Sequence, residues 1–219
     1  MTGERTHRPL LLGHRGARAR KSIPENTFAS FDQALADGCD GFEFDVRLTA
    51  DRQPVVCHDP QTGGLEIDSL SAERCGLPRL EDVFARYRER AFLDVELKVL
   101  GIEESLIRAL KRHSIGRGLV VSSFLPDVLR VMHGEDPSVS LGLICEKRTE
   151  LIRWTQLSVE YVIPERKLVT APIVEELKAA GKRIFVWTVN TRVEMERLRD
   201  WGVDGVISDQ TELLARTLG

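Results

Sequence analysis

The chain has 219 residues, 42% of them apolar and 30% charged, with a formal net charge of −3. Those values exclude a collagen-like, disordered or multi-pass membrane protein, and they describe a chain whose size one hydrophobic core can serve. Acids and bases are interspersed along it, so it lacks the long basic stripe that tracks a nucleic-acid backbone, and no nucleic-acid partner is expected.

A single domain over residues 1–219 is expected, in the cytoplasm. The N-terminal stretch carries basic residues, but its apolar piece is short and no small-residue cleavage site follows, which argues against a secretory signal. No apolar run approaches the ~20 residues of a bilayer span, so stable membrane insertion is not expected. Cys39, Cys57, Cys75 and Cys145 are scattered without a Cys-x-x-Cys pair and read as buried thiols of a reducing compartment.

In chain order, short β-rich apolar runs stand at 10–13, 41–46, 92–97, 119–123, 140–144, 161–164, 183–189 and 205–208. Segments of helical spacing alternate with them at 27–37, 80–90, 102–113, 126–133, 148–156, 171–180, 192–201 and 211–217. Asn26 or Thr27 offers an N-cap for the first helix, and Gly38 and Gly181 lie just past the ends of the first and sixth. Strand followed by helix, eight times over, predicts an α/β fold: a single (β/α)8 TIM barrel of parallel strands, with its active site at the C-terminal rim. The rival is a doubly wound open sheet, which would show fewer strands and often a glycine-rich phosphate turn after the first. The segment 59–78 reads as a short loop insertion with about one helical turn, placed at the barrel rim.

Catalytic groups in such a barrel come from the ends of several strands. In the second strand Phe42, Phe44, Val46 and Leu48 take one face, and Glu43, Asp45 and Arg47 the other. In the third, Leu93, Val95 and Leu97 alternate with Asp94, Glu96 and Lys98. Acids crowded on one inward face repel one another and lose hydration, so one must protonate or a cation must bind. Glu43, Asp45 and Glu96, all oxygen donors, suit a hard divalent ion, Mg²⁺ or Ca²⁺. His14 and His58 close two strands at the same rim and form a candidate acid/base pair. Lys98, one pleat beyond Glu96, is placed to neutralise a substrate oxygen. Each residue taken alone also has a plainer role: an ion pair for Glu96 and Lys98, a buried hydrogen bond for Asp94, helix caps for Asn26 and Thr27. For Phe124 and Trp187 the alternatives are core packing and a substrate-lining role.

Together, His14-Arg15-Gly16, Pro24-Glu25-Asn26-Thr27, Glu43-Phe44-Asp45-Val46, His58-Asp59, Glu96-Leu97-Lys98 and Trp187-Thr188-Val189-Asn190 make the chain resemble the glycerophosphodiester phosphodiesterase family over nearly its whole length. The resemblance implies a metal-dependent hydrolase of glycerol and lipid metabolism that cleaves small-molecule glycerophosphodiesters to an alcohol and glycerol 3-phosphate. By position it implies metal ligands at Glu43, Asp45 and Glu96, acid and base at His14 and His58, and phosphate-binding cations at Arg15 and Lys98. A cyclic phosphate formed by the glycerol 2-hydroxyl and then opened by water is one expected route, and direct attack by water is the other. Two departures stand out. The segment after His58-Asp59 is shorter than in many members, and Ser208-Asp209-Gln210 replaces a frequent Thr-Asp-Pro, read here as a change in the capping of the last helix. Competing readings are a lysophospholipase D-type hydrolase, a non-catalytic barrel that binds a phosphorylated ligand, and a sugar-phosphate isomerase or aldolase using Lys98 as a Schiff base. The head group, the choice of ion and the oligomeric state are not legible.

Overall fold

The computed structural model describes residues 8–219. The sequence reading of the N-terminal stretch rests in part on residues 1–7, outside that range. Eight parallel strands form the barrel: β1 (Leu10–His14), β2 (Gly41–Leu48), β3 (Phe92–Leu97), β4 (Leu119–Ser123), β5 (Leu141–Cys145), β6 (Tyr161–Pro164), β7 (Arg183–Val186) and β8 (Gly205–Ser208). Each pairs with the next, and β1 pairs with both β2 and β8, so the sheet closes and the open-sheet rival falls. Between them lie α1 (Phe28–Ala36), α2 (Leu80–Tyr87), α3 (Glu103–Arg112), α4 (Pro126–Glu135), α5 (Arg148–Leu151), α6 (Ala171–Ala179), α7 (Arg192–Trp201) and α8 (Thr211–Leu218).

The period of two in the strands divides the core into layers. Outward residues such as Phe42, Phe44, Val46, Leu93 and Val95 meet the helices, where Phe31 stacks on Phe42 with ring centroids 4.2 Å apart and Tyr87 meets Phe42 edge-on. Inward residues form a second apolar cluster inside the barrel: Leu12, Phe92, Val120, Ile144, Ile163 and Ile207 among them. Gly41 shares the inward parity of Glu43 and Asp45 on β2, and a methyl group there would sit 1.9 Å from the Phe92 carbonyl oxygen.

Several boundaries differ from the sequence reading. The seventh strand stops at Val186, and the segment expected as one helix at 148–156 is α5 followed by a 3₁₀ turn, Ile152–Gln156. Residues 54–56 pair antiparallel with the end of β2, extending the sheet past the barrel. The 59–78 segment holds more order than one helical turn: a hairpin of Gln61–Thr62 and Leu65–Glu66, a 3₁₀ turn at Ile67–Ser69 and the short helix Ala72–Cys75. Ile67 and Ala72 pack on Val55 in a small core of their own, with Cys57 and Cys75 at its border. Those two thiols are half-buried, whereas Cys39 and Cys145 are buried and pushed up to about 12 by desolvation. Among the described residues, no helix is long and apolar enough to cross a membrane.

Candidate active site

A cavity of about 590 Å³ opens at the C-terminal rim of the barrel. Its lining includes His14, Arg15, Glu43, His58, Glu96 and Lys98, together with Phe124 and Trp187, so eight of the nine predicted site residues line one cavity. The ninth, Asp45, is fully buried behind it. No residue of 59–78 contributes to that lining.

Strand register brings the acids together. Glu43 lies opposite Asp94 and Asp45 opposite Glu96 across the β2–β3 pair, while His14 lies opposite Glu43 across β1–β2. One oxygen from each of Glu43, Asp45 and Glu96 falls within 4.8 Å of the others. Burial and the neighbouring anions Asp45 and Glu96 hold the Glu43 carboxyl well above the usual carboxylate range. Burial beside Asp45 pushes Glu96 up to about 7. Asp45 behaves oppositely: burial would raise it, but Lys98 and Arg15 outweigh that and hold it low.

Two cations lie against this cluster. Lys98 Nζ is 2.6 Å from Glu96 Oε1 and 3.3 Å from Asp45 Oδ1, and Arg15 Nε is 3.1 Å from Asp45 Oδ2. Burial alone would depress the Lys98 ammonium, yet Glu96 and Asp45 hold it above its ordinary value. The charge is still not fully compensated. Glu43 Oε1 is buried with neither a hydrogen bond nor a close cation, and Asp45 Oδ1 has no hydrogen bond and faces only the Lys98 ammonium. A buried carboxylate oxygen left in the state of Glu43 Oε1 is costly unless an additional donor or a hard cation meets it. The trio therefore fits a divalent ion in both geometry and donor chemistry.

The turn after β1 is shaped for this site. Arg15 adopts a left-handed conformation (φ 54°), and its backbone N–H donates to Glu43 Oε2 at 3.0 Å. Gly16 follows at φ 81°, where a methyl group would lie 2.4 Å from Ser30 Oγ. Such backbone costs about 1–3 kcal/mol at a non-glycine residue and persists where the surroundings impose it. Glu25 accepts from Arg15 Nη1 at 2.7 Å and fixes the guanidinium.

Two residues that sequence reasoning assigned to helix ends belong to this site. Thr27 is the N-cap of α1, but Asn26 donates from Nδ2 to Asp45 Oδ2 at 2.8 Å and so holds one acid of the trio. Asp209 Oδ1 is 2.7 Å from His14 Nδ1, and Asn190 Nδ2 donates to its other oxygen at 2.7 Å. Asp209 is the residue that Ser208-Asp209-Gln210 shares with Thr-Asp-Pro, so the departure at 208 and 210 leaves the partner of His14 in place. Burial would raise Asp209, but its bonds to His14 and Asn190 and the charge of Arg18 bring it down to about 2. Burial pushes His14 below its ordinary value, against the opposing pull of Asp209. His14 Nε2 faces the acids, 3.9 Å from Glu43 Oε2. His58 is the more exposed histidine, and its Nδ1 is 2.8 Å from Asp59 Oδ1.

The aromatic residues have settled places. Trp187 donates its indole N–H to the Ile163 carbonyl at 2.9 Å and meets Phe124 edge-on at 5.5 Å. Lys98 Nζ lies 5.7 Å from the Phe124 ring centre.

Fold and cavity together define a (β/α)8 barrel with acids, imidazoles and fixed cations gathered at its C-terminal mouth. The glycerophosphoryl diester phosphodiesterase family profile matches residues 14–70 and 66–213, and the chain belongs to that family of phosphoric diester hydrolases. A glycerophosphodiester phosphodiesterase of Caldanaerobacter subterraneus subsp. tengcongensis is 35% identical over 243 residues, spanning 94% of this chain and 96% of its own. A glycerophosphodiester phosphodiesterase structure from Parabacteroides distasonis matches with a TM-score of 0.85 at 25% identity, over 97% of both chains. An Oleispira antarctica phosphodiesterase, solved in complex with the product sn-glycerol-3-phosphate, matches with 0.83 at 25% identity, over 95% of this chain and 96% of that one.

Proposed function

We propose that this protein hydrolyses glycerophosphodiesters to an alcohol and glycerol 3-phosphate, with Glu43, Asp45 and Glu96 holding a divalent ion, Mg²⁺ or Ca²⁺. The observation that carries the reading is the buried acid trio, with an unpartnered Glu43 oxygen, at a cavity shared by two histidines and two phosphate-competent cations. A phosphodiester resists attack because its anionic oxygens repel the nucleophile. A divalent ion bound by the trio supplies charge neutralisation at those oxygens. Arg15 and Lys98 add fixed positive charge, most valuable as negative charge builds in the transition state.

His14 is the general base. Its Nδ1–H is committed to Asp209, which leaves the Nε2 lone pair toward the cavity, and burial favours the neutral ring a base requires. His58, at the more open edge, donates the proton to the departing alcohol, which leaves toward solvent. The charged state of Lys98 disfavours the Schiff-base reading, since an ammonium has no lone pair to attack a carbonyl.

The test is a panel of glycerophosphocholine, glycerophosphoethanolamine and lysophosphatidylcholine, assayed with EDTA and again with Mg²⁺ or Ca²⁺ restored. Cleavage of the glycerophosphodiesters, lost on chelation and recovered with one ion, is expected. Cleavage of lysophosphatidylcholine alone would replace this reading with the lysophospholipase D one, and activity surviving thorough chelation would remove the metal from it.

A further inference from the structure

Asp94 is fully buried inside the barrel, one pleat below Glu96 on β3 and opposite Glu43 on β2. Ser122 Oγ donates to its Oδ1 at 2.6 Å. Its Oδ2 is buried without a hydrogen-bond partner, yet Asp94 belongs to the lining of the catalytic cavity. The acid trio does not include it, and neither Arg15 nor Lys98 forms an ion pair with it. A carboxyl oxygen kept inside a barrel without a partner is costly, and a ligand hydroxyl that supplies one recovers that cost.

The rest of the cavity indicates which hydroxyl. Its neighbouring wall is apolar, made by Ile144, Ile163 and Ile207. A small group with both methylene and hydroxyl character fits such surroundings, and the glycerol of the substrate is that group. In the functional reading above the departing alcohol leaves on the other side, past His58, which is the more exposed histidine of the pair.

We propose that Asp94 is a substrate-binding residue that accepts a hydrogen bond from a glycerol hydroxyl and so selects the glycerol end of the diester. This rests on the glycerophosphodiesterase reading above and names the residue that reads the invariant half of the substrate. No covalent step is assigned to Asp94. A site built to bond a hydroxyl rejects analogues that lack it, because its own buried group is then left unpaired.

The test measures binding of glycerol 3-phosphate and of propyl phosphate, which lacks both hydroxyls, to the metal-loaded protein. Wild type and Asp94→Ala are titrated by calorimetry, with turnover of glycerophosphocholine followed in parallel. Wild type is expected to prefer glycerol 3-phosphate, and Asp94→Ala to lose about ten-fold of that preference while its affinity for propyl phosphate stays within two-fold. If Asp94→Ala does not fold, Asp94→Asn keeps an oxygen for Ser122 and exchanges the free acceptor for a donor, and the same selective loss is expected. Equal weakening of both ligands, or no weakening of either, overturns the assignment. Wild-type protein that fails to turn over glycerophosphocholine refutes the functional reading instead, so the two failures are told apart.

Discussion

At the scale of the residue, the candidate site depends on groups that carry opposite burdens. His14 is pulled below its ordinary value by burial and pulled back by Asp209. Replacing Asp209 with Asn removes the negative charge that favours the imidazolium, so the His14 pKa falls further and the acid limb of kcat/KM moves to lower pH. The same change loosens the ring's orientation, and kcat should fall about 10²–10⁴-fold. A pH–rate profile of D209N with an unmoved or upward-shifted limb would show that His14 is not the group it reports. Glu43, Asp45 and Glu96 were legible in the sequence because alternation puts them on one face of two neighbouring strands. Asp209 and Asn26 were not, because an Asp after a strand and an Asn before a helix carry the same local signal as ordinary caps. What sets them apart is pairing across 195 and 19 residues, which no local pattern encodes.

At the scale of the element, strand edges were readable wherever a turn signal bounded a run of two-sided burial, as in β3, β4, β6 and β8. The antiparallel extension at Pro54–Val56 and the hairpin after it were not, since their short strands leave too few residues for a period to show. The closeness of the β2–β3 pair is what aligns the acids, and it depends on the small residue at position 41. Gly41→Ala forces a methyl group against the Phe92 carbonyl. Overpacking of this kind costs about 1–3 kcal/mol or more, which in a chain of this length lowers Tm by roughly 2–12 °C. Thermal unfolding followed by circular dichroism measures it, and an unchanged Tm would mean that the two strands can separate without cost.

At the scale of the whole molecule, the barrel carries a functional site at the expense of its own stability. Glu43 is raised in the folded chain, so the folded state holds a proton that the unfolded chain gives up above its ordinary value near 4.5. Its contribution to stability is therefore complete below that pH and is lost as pH rises. In EDTA, Glu43→Gln should raise Tm at pH 8 by about 2–6 °C and lose that advantage toward pH 4, where the carboxyl is protonated in both states. Differential scanning calorimetry across pH checks the sign, and a variant less stable than wild type at pH 8 would contradict it. The ring closure has a consequence of another kind. His14 ends the first strand and Asp209 directly follows the last, so the two meet only across the seam where β1 joins β8. The dyad cannot form until β1 and β8 have paired, so phosphodiesterase turnover should return last during refolding, after far-ultraviolet ellipticity has recovered. Catalysis would then report the moment the ring is complete.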